Sequence, residues 1–351
     1  MSVNSLFVLS LGSTLYIFLF WGFKRLPKET WQILACVPIK KKEGQSWQGI
    51  NYTYYGFFQA TAYVFAVSLL MVLLGSLAVP KIMILTLIVF SLSLCVPLSK
   101  LIARVVEGKL FTFTVGGASF AGLILSPWLI GATNATLGRT MGFQLPVFIT
   151  ITAIAIAYVM GEGMGRLSCL SFGCCYGKPL SQSHPLFRKI FSRFYVVFTG
   201  RTKKIAYAHN LDGQPVIPVQ AMTSFIYTGA GLGGIYLFLE GFYCSAFFLV
   251  AGVSQIWRFL SEFLRADFRG GKRISGYQIM ALTSLFYAAG LPFVFPPAVV
   301  ETVRIMVGLA NLWSPDVIIF LQILWSAIFI FTGRSSVTGA DLTLYVVRDR
   351  V

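Results

Sequence analysis

Charge is scarce in this chain, and negative charge is scarcest: 11% of its 351 residues are charged, with 12 Asp and Glu against 28 Lys and Arg. So few titratable groups exclude a large solvated surface of the kind a soluble enzyme carries. Histidine is rarer still. The two present, His184 and His209, fall in a long polar loop where a solvated role is the ordinary reading, so neither stands out as a general base. Six cysteines, Cys36, Cys95, Cys169, Cys174, Cys175 and Cys244, follow neither a paired secreted framework nor a two-by-two zinc knuckle, which points to reduced thiols. A cleaved leader is not indicated either. No basic residue precedes the first apolar run and no small-residue cleavage site follows it, so that run reads as a retained anchor.

What the chain has in quantity is hydrocarbon: 56% of residues are hydrophobic and the mean hydropathy is +0.77. Apolar runs long enough to cross a bilayer recur along it, and the expected fold is an all-α, polytopic transmembrane helical bundle. About nine spans of roughly 20 residues are expected, near 5–23, 55–79, 82–99, 110–132, 144–164, 216–239, 242–262, 276–297 and 313–333. The net charge of +16 would suggest nucleic acid in a soluble protein, but here it tracks alternate loops. All but Lys81, Arg139 and Arg304 fall on one face. The rule that basic loops stay inside therefore puts the N-terminus outside and the C-terminus in the cytoplasm.

Two constellations carry chemistry. The first is Gly165-Arg166-Leu167-Ser168-Cys169-Leu170-Ser171-Phe172-Gly173-Cys174-Cys175-Tyr176-Gly177, which sets an arginine and three cysteines at the end of an apolar span. An arginine near hydrocarbon needs an anionic partner or a wet cavity, and a lipid phosphate is the anion most available there. The cysteines read either as small packing residues in a tight turn or, beside Arg166, as a source of a thiolate. Joining them to His184 around a metal is disfavoured, because adjacent Cys174 and Cys175 make an awkward ligand pair. The second constellation is Arg258, Glu262, Arg265 and Arg269, spaced to share one helix face. On that face Glu262 is expected to bridge Arg258 and Arg265, leaving planar guanidinium forks to grip phosphate. The bland alternative is an interfacial helix end with snorkelling side chains.

Weaker signals lie at Tyr54-Tyr55-Gly56, at Val115-Gly116-Gly117-Ala118-Ser119-Phe120-Ala121-Gly122, and at Ile217-Pro218-Val219-Gln220. Small-residue runs of this kind are ordinarily helix-packing faces. Taken in order, however, the segments resemble the prolipoprotein diacylglyceryl transferase family. Its Gly-Gly-x-Ser-Phe-His-Gly-Gly segment is similar to Gly116–Leu123. Its signature Gly-Arg-x-Gly-Asn-Phe-x-Asn-x-Glu-x-x-Gly falls on Gly165–Gly177, where Arg166 and Gly177 carry over. Its His-Pro-x-Gln-Leu-Tyr-Glu resembles Ile217–Thr223, its Arg-Phe-x-x-Glu-Phe-x-Arg matches Arg258–Arg265, and its Ser-Met-Gly-Gln resembles Ser275–Gln278.

The resemblance implies a seven-span transferase core over residues 50–297, with an inserted loop at 177–215. An extra helix and basic loop (1–49) would precede it, and an extra helix and tail (298–351) would follow. It further implies an enzyme of the bacterial cytoplasmic (inner) membrane that moves a diacylglyceryl group from phosphatidylglycerol to the lipobox cysteine of a prolipoprotein. No metal, nucleotide or other cofactor is implied. Arg166 and Arg258 would stabilise the departing phosphate and Glu262 would hold an arginine. Tyr55, Gly117, Ser119, Cys169, Tyr176, Gln220 and Arg265 would line the substrate site. The family histidine is Ala121 here, its signature asparagines are Cys169 and Phe172, and its glutamates are Cys174 and Thr223. Cys174 or Cys175 could then act as nucleophile and carry the lipid covalently.

Three function classes follow: the transferase, an inert phospholipid-binding membrane protein, and a transporter, the last lacking any internal repeat. The family signature faces outward, whereas the charge bias puts it inside. One extra span before the core would invert every later helix, serving a cytoplasmic acceptor; otherwise the basic loop overrides the charge rule. Thiol or tag labelling of the 178–210 loop decides this. Inversion expects labelling only after permeabilisation, and labelling from outside intact cells refutes it.

Overall fold

The computed structural model describes residues 2–108, 114–268, 274–297 and 303–351. Lys109, Arg269, Lys272 and Arg273, which entered the reading of the basic loops and the charged stripe, lie outside the described residues, as do 110–113 at the start of the expected fourth span.

Among the described residues, nine helices are long and apolar enough to cross a membrane: α1 (Val3–Arg25), α2 (Tyr54–Gly75), α3 (Lys81–Glu107), α4 (Val115–Met141), α5 (Val147–Phe172), α6 (Val219–Leu239), α7 (Tyr243–Leu264), α8 (Gly276–Val294) and α9 (Pro315–Gly333). The protein is a multi-pass membrane protein with the expected polytopic helical architecture. Local chemistry sets several helix ends. Thr53 caps α2 by accepting the Gly56 N–H at 3.4 Å. Ser275 and Gln278 close a reciprocal capping box on α8. Gly108 and Gly173, both at positive φ, stop α3 and α5.

Helix α5 is the most buried span, packed against α2 on one side and α6 on the other, with α4 and α7 completing its enclosure. Outer helices such as α9 present most of their apolar surface outward, where hydrocarbon replaces water and burial within protein is not needed. Two apolar elements from outside the central group close on it. Helix α1 lies along α6, and α9 lies along α2, so the first and last spans brace opposite sides of α5.

Short strands accompany the helical bundle. Strands β1 (Ile33–Lys41) and β2 (Ser46–Thr53) form an antiparallel hairpin with Val37 opposite Ile50. Two short strands, β3 (Val196–Val197) and β4 (Pro215–Val216), pair within the inserted loop. A final strand, β5 (Arg334–Thr343), adds to β2 with Gly49 opposite Ala340, giving the order β1-β2-β5. The segment after α1 and the segment after α9 are thus joined by backbone hydrogen bonds. Because an even number of spans, α2 to α9, separates them, they emerge at the same end of the bundle, and the sheet follows from that parity.

Lys203 anchors the inserted loop. It is fully buried and donates to the carbonyls of Leu26 at 3.1 Å and Ser171 at 2.6 Å. Burial pushes its ammonium down to about 7. The unfolded chain holds that proton to higher pH than the folded one does, so the folded state is increasingly favoured as pH rises from about 7 towards the ordinary lysine range.

Helices α2 and α9 meet backbone to backbone at a pair of glycines. A Cβ placed on Gly56 would stand 2.0 Å from the Gly333 Cα, so two backbones meet where no side chain fits. Gly56→Leu is expected to cost at least ~2 kcal/mol by overpacking, read as a lowered unfolding temperature in detergent. Gly290→Ala, with nothing within 4 Å of its added Cβ, should leave that temperature in place.

Candidate active site

A cavity of about 980 Å³ opens between α2, α3, α4, α5 and α7, with the α9–β5 junction at its rim. Its two ends differ. Leu70, Ile88, Leu92, Leu129 and Ile154 line an apolar part, whereas six cations and four carboxylates line the rest, among them Arg166, Arg258 and Arg265. An amphipathic hollow of this kind matches a molecule with a charged head and hydrocarbon tails.

Glu162 organises the charged end. It sits four residues before Arg166 on α5 and accepts through Oε1 from that guanidinium, while its Oε2 accepts from Arg258 of α7 at 2.5 Å. Both arginines are more than nine-tenths buried. The Nε of each is buried and has no hydrogen-bond partner, so each guanidinium keeps donor capacity beyond the carboxylate it holds. The carboxylate also separates two cations that would otherwise repel in a poorly hydrated place. Around it, Tyr227 donates to the Ser254 carbonyl at 2.9 Å and Tyr158 to the Val115 carbonyl at 2.7 Å. Both tyrosines line the cavity. Gly116, at the start of α4, lets that backbone reach the site: an added Cβ would be 3.4 Å from Nη1 of Arg258 and 2.9 Å from the Tyr277 ring.

The end of α5 is fastened to the end of α7. The Lys178 N–H donates to Leu264 O at 2.9 Å, the Ala266 N–H to Tyr176 O at 3.1 Å, and the Ile217 N–H to Lys178 O at 3.0 Å. Three sequence segments, 165–178, 217–220 and 258–266, therefore meet by main-chain bonds. In the turn after α5, Gly173 and Cys174 both donate to the Cys169 carbonyl, at 2.9 and 3.1 Å. Cys175 then takes a positive φ of 58°. All six cysteines are reduced thiols, and those of Cys169, Cys174 and Cys175 lie within 4.8 Å of one another.

Of the residues expected at the site, Arg166, Arg258, Glu262, Cys174, Cys175, Tyr55, Cys169 and Arg265 line the cavity. Four expected substrate contacts lie elsewhere. Gly117 faces Ile102 and Thr114, where an added Cβ would meet their side chains at 2.9 and 2.8 Å, so it serves α3–α4 packing. Ser119 accepts from Gln255 at 3.3 Å across the α4–α7 contact. Tyr176 is fully buried and its hydroxyl bonds Nδ1 of His209. Gln220 donates to the Cys174 carbonyl at 2.8 Å and so supports the thiol turn from behind.

The charged stripe also differs from expectation. The α-helical path of α7 stops at Ser261, and a tighter turn over Glu262–Leu264 leads into extended backbone at Arg265. The carboxylate on Arg258 is therefore Glu162, not Glu262. Glu262 instead accepts from the Ser275 hydroxyl at 3.2 Å. Arg265 makes a two-pronged pair with Asp267, at 2.8 and 2.7 Å. Nor is Cys174 acidified by Arg166: hydrogen bonding with the Cys169 and Cys175 thiols, together with burial, pushes the Cys174 thiol well above its usual range. His184 is exposed, accepting from the Leu186 N–H at 3.3 Å to cap the helix Pro185–Phe191. Glu162 was the residue missed. An acid inside an apolar span, four residues before an arginine, was the signal.

The profile of the prolipoprotein diacylglyceryl transferase family matches residues 45–294, well over half of the chain, and the protein belongs to that family. It is thus a membrane-embedded member of a transferase family of lipoprotein modification. A search of curated proteins finds no match.

Neutralising the carboxylate should leave two buried guanidiniums facing each other. Glu162→Gln is expected to cost about 3 kcal/mol, as breaking a buried ion network does, and to lower the unfolding temperature in detergent. Because a phosphodiester can replace the lost anion, added phosphatidylglycerol should recover more of that loss in the variant than it adds to the parent protein.

Proposed function

We propose that the protein transfers a diacylglyceryl group from phosphatidylglycerol to a cysteine of an acceptor polypeptide, releasing glycerol phosphate. The observation that carries this reading is the convergence of Arg166 and Arg258, through Glu162, on one cavity with an apolar far end. Two guanidiniums and one carboxylate leave a single net positive charge, the complement of a phosphodiester monoanion. In the reaction the acceptor thiol gives its proton to water, and its sulfur forms a bond to the terminal glycerol carbon of the diacylglyceryl unit while the bond from that carbon to the phosphate oxygen breaks. The electron pair stays on the phosphate, whose second negative charge develops between the two arginines. Donors fixed in advance at that position lower the barrier without reorganising. Arg166 and Arg258 are the phosphate-stabilising residues in this scheme, Glu162 positions them, and Tyr55 and Arg265 border the headgroup region.

The chain is read as residing in the bacterial cytoplasmic membrane with its C-terminus inside, on the strength of the basic loops. Ala121 and Thr223 stand where the family resemblance puts a histidine and a glutamate, which favours a second reading, a phospholipid-binding protein without turnover. Reconstitution in vesicles of phosphatidylglycerol labelled in its headgroup, with a single-cysteine acceptor peptide, separates the two. Transfer expects labelled glycerol phosphate in step with thioether on the peptide. Arg258→Ala should slow release at least ~100-fold, about 3 kcal/mol of charge stabilisation. Retention of lipid with no release would establish the second reading instead.

A further inference from the structure

We propose that Cys169, Cys174 and Cys175 form a zinc site whose fourth position takes the acceptor cysteine, so that a metal supplies the activation that Ala121 and Thr223 do not. This rests on the transferase reading. The three sulfurs lie within 4.8 Å of one another. Tetrahedral thiolates on zinc, with Zn–S bonds of ~2.3 Å, stand about 3.8 Å apart, so a shift of about 1 Å brings the sulfurs to ligand spacing. Adjacent cysteines ordinarily make a poor ligand pair because successive side chains diverge. Here the left-handed backbone at Cys175, φ 58°, turns both sulfurs towards Cys169. A non-glycine residue seldom adopts that conformation, and its occurrence beside a candidate site is a recognised place for strain.

The surroundings fit an ion rather than packing. All three cysteines line the cavity together with Arg166 and Arg265, whereas packing cysteines would lie against apolar helix faces. Three thiolates on a divalent zinc carry one net negative charge, and both Arg166 and Arg265 are within electrostatic reach of Cys175. Gln220 fixes the Cys174 carbonyl at 2.8 Å, giving the ligand turn an outer support. Three protein ligands with an open position are the pattern of a reactive zinc, and four that of a structural one.

A thiol that coordinates zinc is deprotonated outright. The acceptor cysteine would release its proton to water on binding, and its sulfur would attack the terminal glycerol carbon. The carbon–oxygen bond to phosphate breaks, and glycerol phosphate departs between Arg166 and Arg258. The thioether product is uncharged, a weak ligand, and leaves the metal.

Elemental analysis of the full chain, purified reduced in detergent, is expected to find one zinc per chain, falling below a tenth in Cys169→Ser and in Cys175→Ser. Replacement by Co²⁺ should give thiolate-to-cobalt charge-transfer absorption that both serine variants lose, with unfolding temperature reporting that they remain folded. Chelator-stripped protein should lose at least ~100-fold in glycerol phosphate release and regain it with zinc. Absence of both zinc and the cobalt spectrum overturns the site. Undiminished release from zinc-free protein, or a diacylglyceryl adduct on Cys174 or Cys175 by mass spectrometry, overturns the role given to the metal. Stoichiometric zinc with no release from any preparation supports the metal site and counts against the transferase reading instead.

Discussion

A single carboxylate, Glu162, held between the guanidinium groups of Arg166 and Arg258, is the constraint on which the charged half of the cavity depends. In a bundle of apolar helices neither arginine would keep its charge cheaply alone, and together without an acid they would repel. One acid reconciles them and leaves a site of net single positive charge. The arrangement also ties α5 to α7 through side chains, in the same place where main-chain bonds join the loop after α5 to the end of α7.

The helical architecture was largely legible because bilayer thickness sets span length, and a run of about 20 apolar residues has few alternatives. The β-sheet was not. Strand β1, Ile33–Lys41, has its lysines near a turn and so reads as a basic loop, while β5 lies more than 280 residues beyond its partner β2, and only the parity of the spans brings those two together. Short strands without a continuous buried face carry little periodic signal, and nothing local to either segment indicates its partner.

Within the site, Arg166 and Arg258 were legible as charges placed where charge is costly. Their partner was misassigned for a definite physical reason. Helical spacing from Arg258 through Glu262 to Arg265 presumes a helix that continues, but the chain leaves the helix at Ser261 because its next residues pair with Tyr176–Lys178. Spacing rules fail where tertiary pairing ends an element. Glu162 was overlooked for the converse reason: flanked by Gly161 and Gly163, it sits in a stretch that resembles a helix-packing face, and packing and ion binding share that surface here.

Gln220 and Tyr176 illustrate a further limit of motif reading. Both fall within segments that converge on the cavity, yet both work from behind it, one on the Cys174 carbonyl and one against His209. A motif records every residue a site requires, including those that only hold its backbone. The same logic bears on the thiol turn. Cys169 closes the last turn of α5 with its carbonyl and offers its sulfur to the cavity, so the residue that ends the helix also places the cluster. The positive φ at Cys175 would be relieved by glycine, the residue such a position favours. A cysteine there accepts the strain of that backbone, and the sulfur it brings beside Arg166 and Arg265 is the chemical return.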